Sequence, residues 1–330
     1  MLQSRKIKGT VLSIFGVTLF LSIVLAGWGY VSINRITELG EVENAFNIIS
    51  NTTLEMRKSE KGFLLRDVKN EEFMESGKSK YVSDMDMLVA AQDSIITSLL
   101  DNKCAAKLNI HEDLTKLKNN IKAYHSTFGK LTEAYKKRGF KEFGDEGELR
   151  VAVRALEESD YKIDMIQLLT LRTIEKDFFI HKDLGYVEKF TTAITSFLDE
   201  VDNGGKGQET KIKIVTYEEK FNNLVKAEEI IGLNENLGLV GEMRNKTYKV
   251  DPMIGKLEKL IHVRSQKIIS QAILIFTMVF LVELIIGLLL VNKFFNVLSS
   301  NLQYLRKIAI KISEGIIPKP LEIKTQRRAG

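Results

Sequence analysis

Cysteine is all but missing. Cys104 stands alone among 330 residues, so no disulfide can form within the chain and any folded part must stand on packing. Proline is almost as scarce, at three residues, while Leu, Ile, Glu and Lys recur in long stretches. That combination points to an all-α chain. The four histidines, His111, His125, His181 and His262, are scattered and show no metal-ligand spacing. There is no phosphate-binding Walker A loop and no nucleophile elbow. Asn203-Gly204-Gly205-Lys206-Gly207 is rich in glycine, but it follows no strand and reads as a surface turn. Basic patches interleaved with aromatics are absent as well, which argues against nucleic acid as a partner. No enzymatic activity, metal or cofactor is therefore expected.

Charge is missing from two long runs. From Gly9 to Asn34 no residue is charged, and the core of this run, Val11 to Val31, is long enough to cross ~30 Å of hydrocarbon as one helix. Trp28 and Tyr30 near its end suit a membrane interface. Ile268 to Asn292 forms a second run, interrupted only by Glu283. The basic residues Arg5, Lys6, Lys8, Lys293, Arg306, Lys307, Lys311, Lys319, Lys324, Arg327 and Arg328 flank these runs on the two tails, against only Glu314 and Glu322. By the positive-inside rule both tails are cytoplasmic and the middle faces outward. The expected organisation is a tail at 1–8, a span at 9–33, an outer domain at 34–267, a second span at 268–292 and an inner segment at 293–330. A cleaved signal peptide is the competing reading, because Val24-Leu25-Ala26 resembles a cleavage site. The length of the first run and its pairing with a second favour an anchor. An ionised Glu283 within a span would cost ~2.5 kcal/mol or more. It reads either as a protonated carboxyl facing Ser22 or Thr18 or as a polar hinge for signalling.

The outer domain repeats itself. Leu54-Glu-Met-Arg-Lys-Ser-Glu-Lys-Gly-Phe63 and Leu169-Thr-Leu-Arg-Thr-Ile-Glu-Lys-Asp-Phe178 match at the Leu, Arg, Glu, Lys and Phe positions. Gly147-Glu148-Leu149-Arg150 matches Gly241-Glu242-Met243-Arg244, each after a glycine-containing turn, and Phe128-x-x-Leu131 echoes Phe221-x-x-Leu224. Two related modules are expected, with a junction near 150–165. Apolar stripes fall at Leu88, Ala91, Ile95 and Leu99 and at Leu114, Leu117, Ile121 and Tyr124. Breaks are expected at 67–70, 101–103, 139–145, 183–185, 203–207 and 234–238. They give an odd number of helical pieces, yet two spans of opposite direction require an even number of outer helices. At least one break must then be a bulge in a continuing helix, and the glycine-rich breaks are the candidates. Pro252 is a further possible kink.

Leu54, Arg57, Lys61 and Leu64, and again Leu169, Arg172, Lys176 and Phe179, follow the spacing of a packed helix face. Cations on such a face need partners, and Glu60 and Glu175 can pair with Arg57 and Arg172 three residues away. Glu148, Arg150, Glu242 and Arg244 could join across the bundle. One reading is a closed salt-bridge layer that fixes helix register. The other is an anion site, with Arg57, Lys61, Arg154, Arg172 and Lys176 as candidate ligand-binding residues and arginine offering a bidentate fork to a carboxylate.

The duplicated Arg-x-x-Glu-Lys-x-Phe and Gly-x-Leu-Arg elements, set between two spans, resemble the helical bimodular sensor domain of bacterial methyl-accepting chemotaxis receptors and some sensor kinases. The resemblance covers about residues 35–267. It implies a periplasmic pair of stacked four-helix bundles, an inner-membrane location, and recognition of a small organic acid or a periplasmic binding protein. Gly62 stands where the second copy has Asp177, Arg66 where it has His181, and Pro252 is a further departure. After the second span, Leu298, Leu302, Leu305, Ala309 and Ile312 repeat as a coiled-coil seam, with Gly315 suited to the helix end. This segment is similar to the first helix and connector of a HAMP relay module, although Asn301 stands where that family usually has Pro. One seam helix cannot bury its stripe alone, so a homodimer is expected. The resulting expectation is a truncated two-pass chemoreceptor. The alternatives are the sensor half of a histidine kinase and a membrane scaffold without output.

Overall fold

The computed structural model describes residues 2–201 and 205–315, with the side chains of all of these except 2–8, 10, 301 and 312. They form ten helices: α1 (Leu2–Arg66), α2 (Glu71–Ser76), α3 (Lys80–Asp101), α4 (Lys103–Lys107), α5 (His111–Arg138), α6 (Gly144–Glu157), α7 (Met165–His181), α8 (Gly185–Glu200), α9 (Gly205–Ile231) and α10 (Gly238–Ser313). A 3-10 turn, Asp67–Lys69, follows α1. No strand occurs among the described residues, and the chain is all-α. The side chains of Arg5, Lys6, Lys8, Asn301 and Ile312, the Asn203-Gly204 part of the glycine-rich turn and everything from Ile316 on, including Lys319, Lys324, Arg327 and Arg328, lie outside the described residues.

Helix starts carry the expected chemistry. Asn70, Ser79, Asn102 and Asp164 each accept a backbone N–H of the first turn of α2, α3, α4 and α7. The breaks at Gly77–Ser79 and Leu108–Ile110 were not marked by the sequence expectation. Gly77 ends α2 at φ +71°, a conformation glycine adopts without steric cost.

The chain divides into two compact units, residues 1–38 with 265–330, and Leu39–Arg264. Within the first, α1 and α10 each contain a stretch long and apolar enough to cross a membrane, and neither apolar window holds a buried residue. The Ser22 hydroxyl donates to Glu283 Oε1 at 2.9 Å, while Thr18 returns its hydroxyl to the carbonyls of Ile14 and Phe15. The α10 helix ends at Ser313, and Gly315 has φ +74°. Leu298, Leu302 and Leu305 on the seam are 38%, 58% and 61% exposed.

In the second unit, α5 and α6 run as one interrupted helix, antiparallel to α9 and α10 as another. Residue partners climb one as they descend the other: Arg264 on the Leu108 carbonyl, Asn120 on Met253, Thr127 on Glu242, Arg138 on Glu228, Lys220 on Glu148, and Ser159 with Thr210. A break that reversed the chain would destroy this order. The two interruptions, 139–143 and 232–237, are therefore bulges, at two of the glycine-rich breaks named as candidates in the sequence. Each begins and ends in the same way. Gly139 N–H donates to the Tyr135 carbonyl and Gly147 N–H to that of Phe143; Gly232 N–H donates to Glu228 and Gly241 N–H to Leu237.

Two cores flank the bulges. One gathers Phe46, Met56 and Phe63 of α1, Met85 and Ile96 of α3, Leu117 and Phe128 of α5, and Val250 and Leu257 of α10, all buried. The other draws on α6 to α9, with Leu149, Leu171, Phe178, Phe190, Tyr217 and Phe221 at its centre. The helix phase corrects one expectation. The buried positions are Thr53, Met56, Ser59 and Phe63 on α1, with Glu60 half-buried beside them, and Leu168, Leu171, Glu175 and Phe178 on α7, whereas Leu54, Lys61, Leu169 and Lys176 are exposed. The face is rotated by about one residue. Burying Met56, Phe63 and Phe178 removes more apolar area from water than burying Leu54 and Leu64, and it leaves the lysines solvated. On α3 the buried stripe is Met85, Val89, Gln92, Ile96 and Leu99, again offset from Leu88, Ala91 and Ile95, while Leu114, Leu117, Ile121 and Tyr124 of α5 are all buried as read.

Candidate functional site

The same polar layer is built twice. Arg57, Glu60 and Phe63 stand on successive turns of α1; Tyr124 and Phe128 stand one turn apart on α5. The Tyr124 hydroxyl donates to Glu60 Oε2, and Phe63 meets Phe128 edge to face with ring centres 5.6 Å apart. In the second copy the Tyr217 hydroxyl donates to Glu175 Oε2 at 2.7 Å, and Phe178 meets Phe221 edge to face at 5.7 Å. The tyrosines were not picked out in the sequence. Extending the Phe128/Phe221 echo back by four residues, one helical turn, finds them both.

The layers differ in how the arginine is used. Arg172 Nη1 donates to both oxygens of Glu175, at 2.9 and 3.0 Å. Arg57 Nε stays 3.5 Å from Glu60, and its hydrogen bond runs instead to Asp251 Oδ2 on α10, at 3.3 Å. Asp251 was not among the sequence candidates. Burial raises the pKa of both tyrosines, and the carboxylate each one faces pushes the same way. Both phenols are thus held protonated, as donors. Replacing Tyr217 by Phe removes one of the two donors to the buried Glu175 Oε2 and is expected to cost ~1.5–3 kcal/mol, the range for a hydrogen bond to a charged group. Tyr124→Phe should cost less, because the Glu60 side chain is 14% exposed against 6% for Glu175. Urea denaturation of the two variants measures the difference.

Burial also raises Glu175 above its ordinary 4.5, against the opposing pull of Arg172 and Tyr217. A carboxyl with a raised folded-state pKa binds its proton more tightly when folded. That stabilisation is complete below the unfolded value and is lost as pH rises through the raised one. Above the ordinary value of 4.5, Glu175→Gln should therefore flatten the dependence of melting temperature on pH relative to the native chain. An unchanged slope would assign the titration elsewhere.

The remaining candidates do not join these layers. Lys61 and Lys176 point to solvent. Arg154 pairs with Glu142 at 2.7 Å, and Arg150 with Glu146 at 2.8 Å. Glu148 pairs with Lys220 at 2.8 Å, Glu242 accepts from Thr127 at 3.0 Å, and Arg244 pairs with Glu235 at 2.7 Å. Of the Gly-Glu-Leu/Met-Arg elements, Glu148 and Glu242 reach across the bundle, to Lys220 of α9 and Thr127 of α5, whereas Arg150 and Arg244 find their carboxylates beside the bulges, at Glu146 and Glu235.

Between the cores lies an ionic cluster that the sequence reading missed. Glu228, 4% exposed, takes Arg138 Nε at 2.9 Å and the Lys182 ammonium. Arg138 Nη1 reaches Glu146 at 2.5 Å, and Lys182 lies over the rings of Phe178 and Phe179. Burial depresses the Lys182 pKa, with Glu228 opposing. Lys182 also closes α7 in a left-handed conformation, φ +51°. None of the charged residues of this cluster repeats between the modules, so no duplication marks them. Compared with known proteins, the chain matches no family model, no curated protein and no solved structure.

Proposed function

We propose that the chain is a two-pass transmembrane receptor that senses a small anion, an organic acid being the leading class, with the unit 39–264 outside the membrane and both tails in the cytoplasm. In this reading the two cores are stacked four-helix bundles of the bimodular sensor type, one built on α1, α3, α5 and α10 and the other on α6 to α9. The observation that carries it is the duplicated Arg-Glu-Tyr layer, set in an all-helical unit between two apolar helices. A single polypeptide segment, α10, holds both Asp251 of the first layer and the second apolar run, which gives a displacement at the layer a route toward the seam at Leu298–Leu305. The exposed seam supports a dimer, with HAMP-like relay below the membrane. A ligand shifts such an equilibrium only by its differential affinity for the two states.

Calorimetry of the full chain in lipid nanodiscs, against a panel of carboxylates and amino acids, tests the reading. Binding that is lost in the double variant Arg57→Gln/Arg172→Gln is the expected result. Silence across the panel would count against the small-anion reading and favour recognition of a periplasmic binding protein on the same unit.

A further inference from the structure

The two layers are copies, yet only one has a carboxylate brought to it from another helix. In the second module Arg172 is occupied by Glu175 of its own helix through two bonds, and that carboxylate is nearly inaccessible. In the first, Tyr124 holds Glu60, and the single hydrogen bond of Arg57 is the 3.3 Å contact to Asp251. Arg57 Nε is cut off from solvent without a hydrogen-bond partner. A guanidinium has five donors in a fixed fork suited to a bidentate carboxylate. Asp251 reaches one edge of that fork only, since its carboxylate is tethered to the α10 backbone.

The contact is also easily broken. The Asp251 side chain is 54% exposed and that of Arg57 29%. Ion pairs in such surroundings contribute little. The next residue, Pro252, lies inside α10 and has no N–H to give to the preceding turn, so the helix is already short of one bond there. Lys61, one turn along α1 from Arg57 and exposed, adds positive charge on the approach.

We propose that Asp251 is an internal competitor: it occupies Arg57 when no ligand is present, clasping α1 to α10, and a small free carboxylate displaces it by taking the fork with both oxygens. This rests on the sensor reading above and deepens it. The second layer, sealed by its own glutamate, would have no such exchange. Ligand binding then becomes the release of α10 at the proline, rather than the filling of an empty pocket.

The test uses the full chain in nanodiscs with acetate as probe. Spin labels at Lys58→Cys and Lys249→Cys, in a Cys104→Ala background, report the separation of α1 and α10. Asp251→Asn is expected to tighten acetate binding about two- to fivefold, the range set by a partly exposed ion pair. Without acetate, it should shift the label distance in the direction that saturating acetate shifts the native chain. Asp251→Ala should do the same, and Arg57→Gln should abolish acetate binding. If acetate binds the native chain and Asp251→Asn equally, or binds Arg57→Gln undiminished, the competitor role is overturned while the sensor reading stands. If acetate binds none of them at millimolar concentration, the exchange at Arg57 is overturned, and the wider calorimetric panel decides the sensor reading separately.

Discussion

Replacing Glu228 by alanine is expected to destabilise the Leu39–Arg264 unit by ~3–5 kcal/mol, among the largest effects of any single polar substitution in it. The reason is what remains. Glu228 is shared by Arg138 and Lys182. Without it two cations face each other between the cores, and Glu146 alone is left to balance them. Burial already depresses the Lys182 pKa with its partner present. At about 2–4 °C per kcal/mol for a unit of this size, the melting temperature should fall by roughly 10 °C. Removing the charges on both sides reverses part of the loss. Glu228→Met combined with Lys182→Met is expected to melt higher than Glu228→Ala, because an uncompensated buried charge costs more than an apolar replacement of the pair. A melt of Glu228→Ala within a degree or so of the native chain would show that water reaches this cluster freely.

The second large effect belongs to the bulges, and it changes sign with position. Gly139 has φ +79°, and a Cβ there would lie 1.9 Å from the Phe143 carbonyl oxygen. Gly232 repeats the situation at φ +125°, 2.2 Å from the Leu237 carbonyl oxygen. In both cases the obstacle is backbone, which cannot swing aside as a side chain can. Gly139→Ala or Gly232→Ala is expected to cost ~2–5 kcal/mol, combining the strained φ with the shift the clash demands. Gly129, in the interior of α5, has nothing within 4 Å of its would-be Cβ. There Gly→Ala is expected to stabilise, by ~0.5–1 kcal/mol, through helix propensity. Thermal melts of the three variants in one buffer separate these effects. Equal and small losses at 139 and 232 would mean that the bulges yield without strain.

These glycines also show what was legible in the sequence. The bulges were legible from the glycine-rich breaks that stand before both copies of the Gly-Glu-Leu/Met-Arg element; counting was not enough, because two bulges among six breaks still leave an odd number of pieces, and the turn at 158–164 that restores an even number carries no glycine. The two apolar helices follow from runs without charge, and of the two hydroxyls the sequence offers Glu283, Ser22 and Thr18, it is Ser22 that meets it. Helix phase was harder. Leu54 and Leu169 are apolar, match between the copies and are exposed; Glu60 and Glu175 are charged, match and point inward. Periodicity ranks positions by side-chain type, but a buried glutamate is made tolerable by a tyrosine some forty to sixty residues away in the chain. Asp251 and the Glu228 cluster left no mark at all. Each is a single charged residue in a chain with 43 acidic side chains, and only the fold decides which of them meets an arginine.

The most direct measurement concerns sides of a membrane. Cys104 is buried and a poor reporter, so a cysteine is placed at Glu235, in the exposed bulge between α9 and α10, and another at Ser4 in a separate chain, both in a Cys104→Ala background. An impermeant maleimide applied to intact cells should label the Glu235 site at once and the Ser4 site only after the membrane is opened. Labelling of both sites from the same side, or recovery of the intact chain in the aqueous fraction without detergent, would contradict a receptor that crosses the bilayer twice.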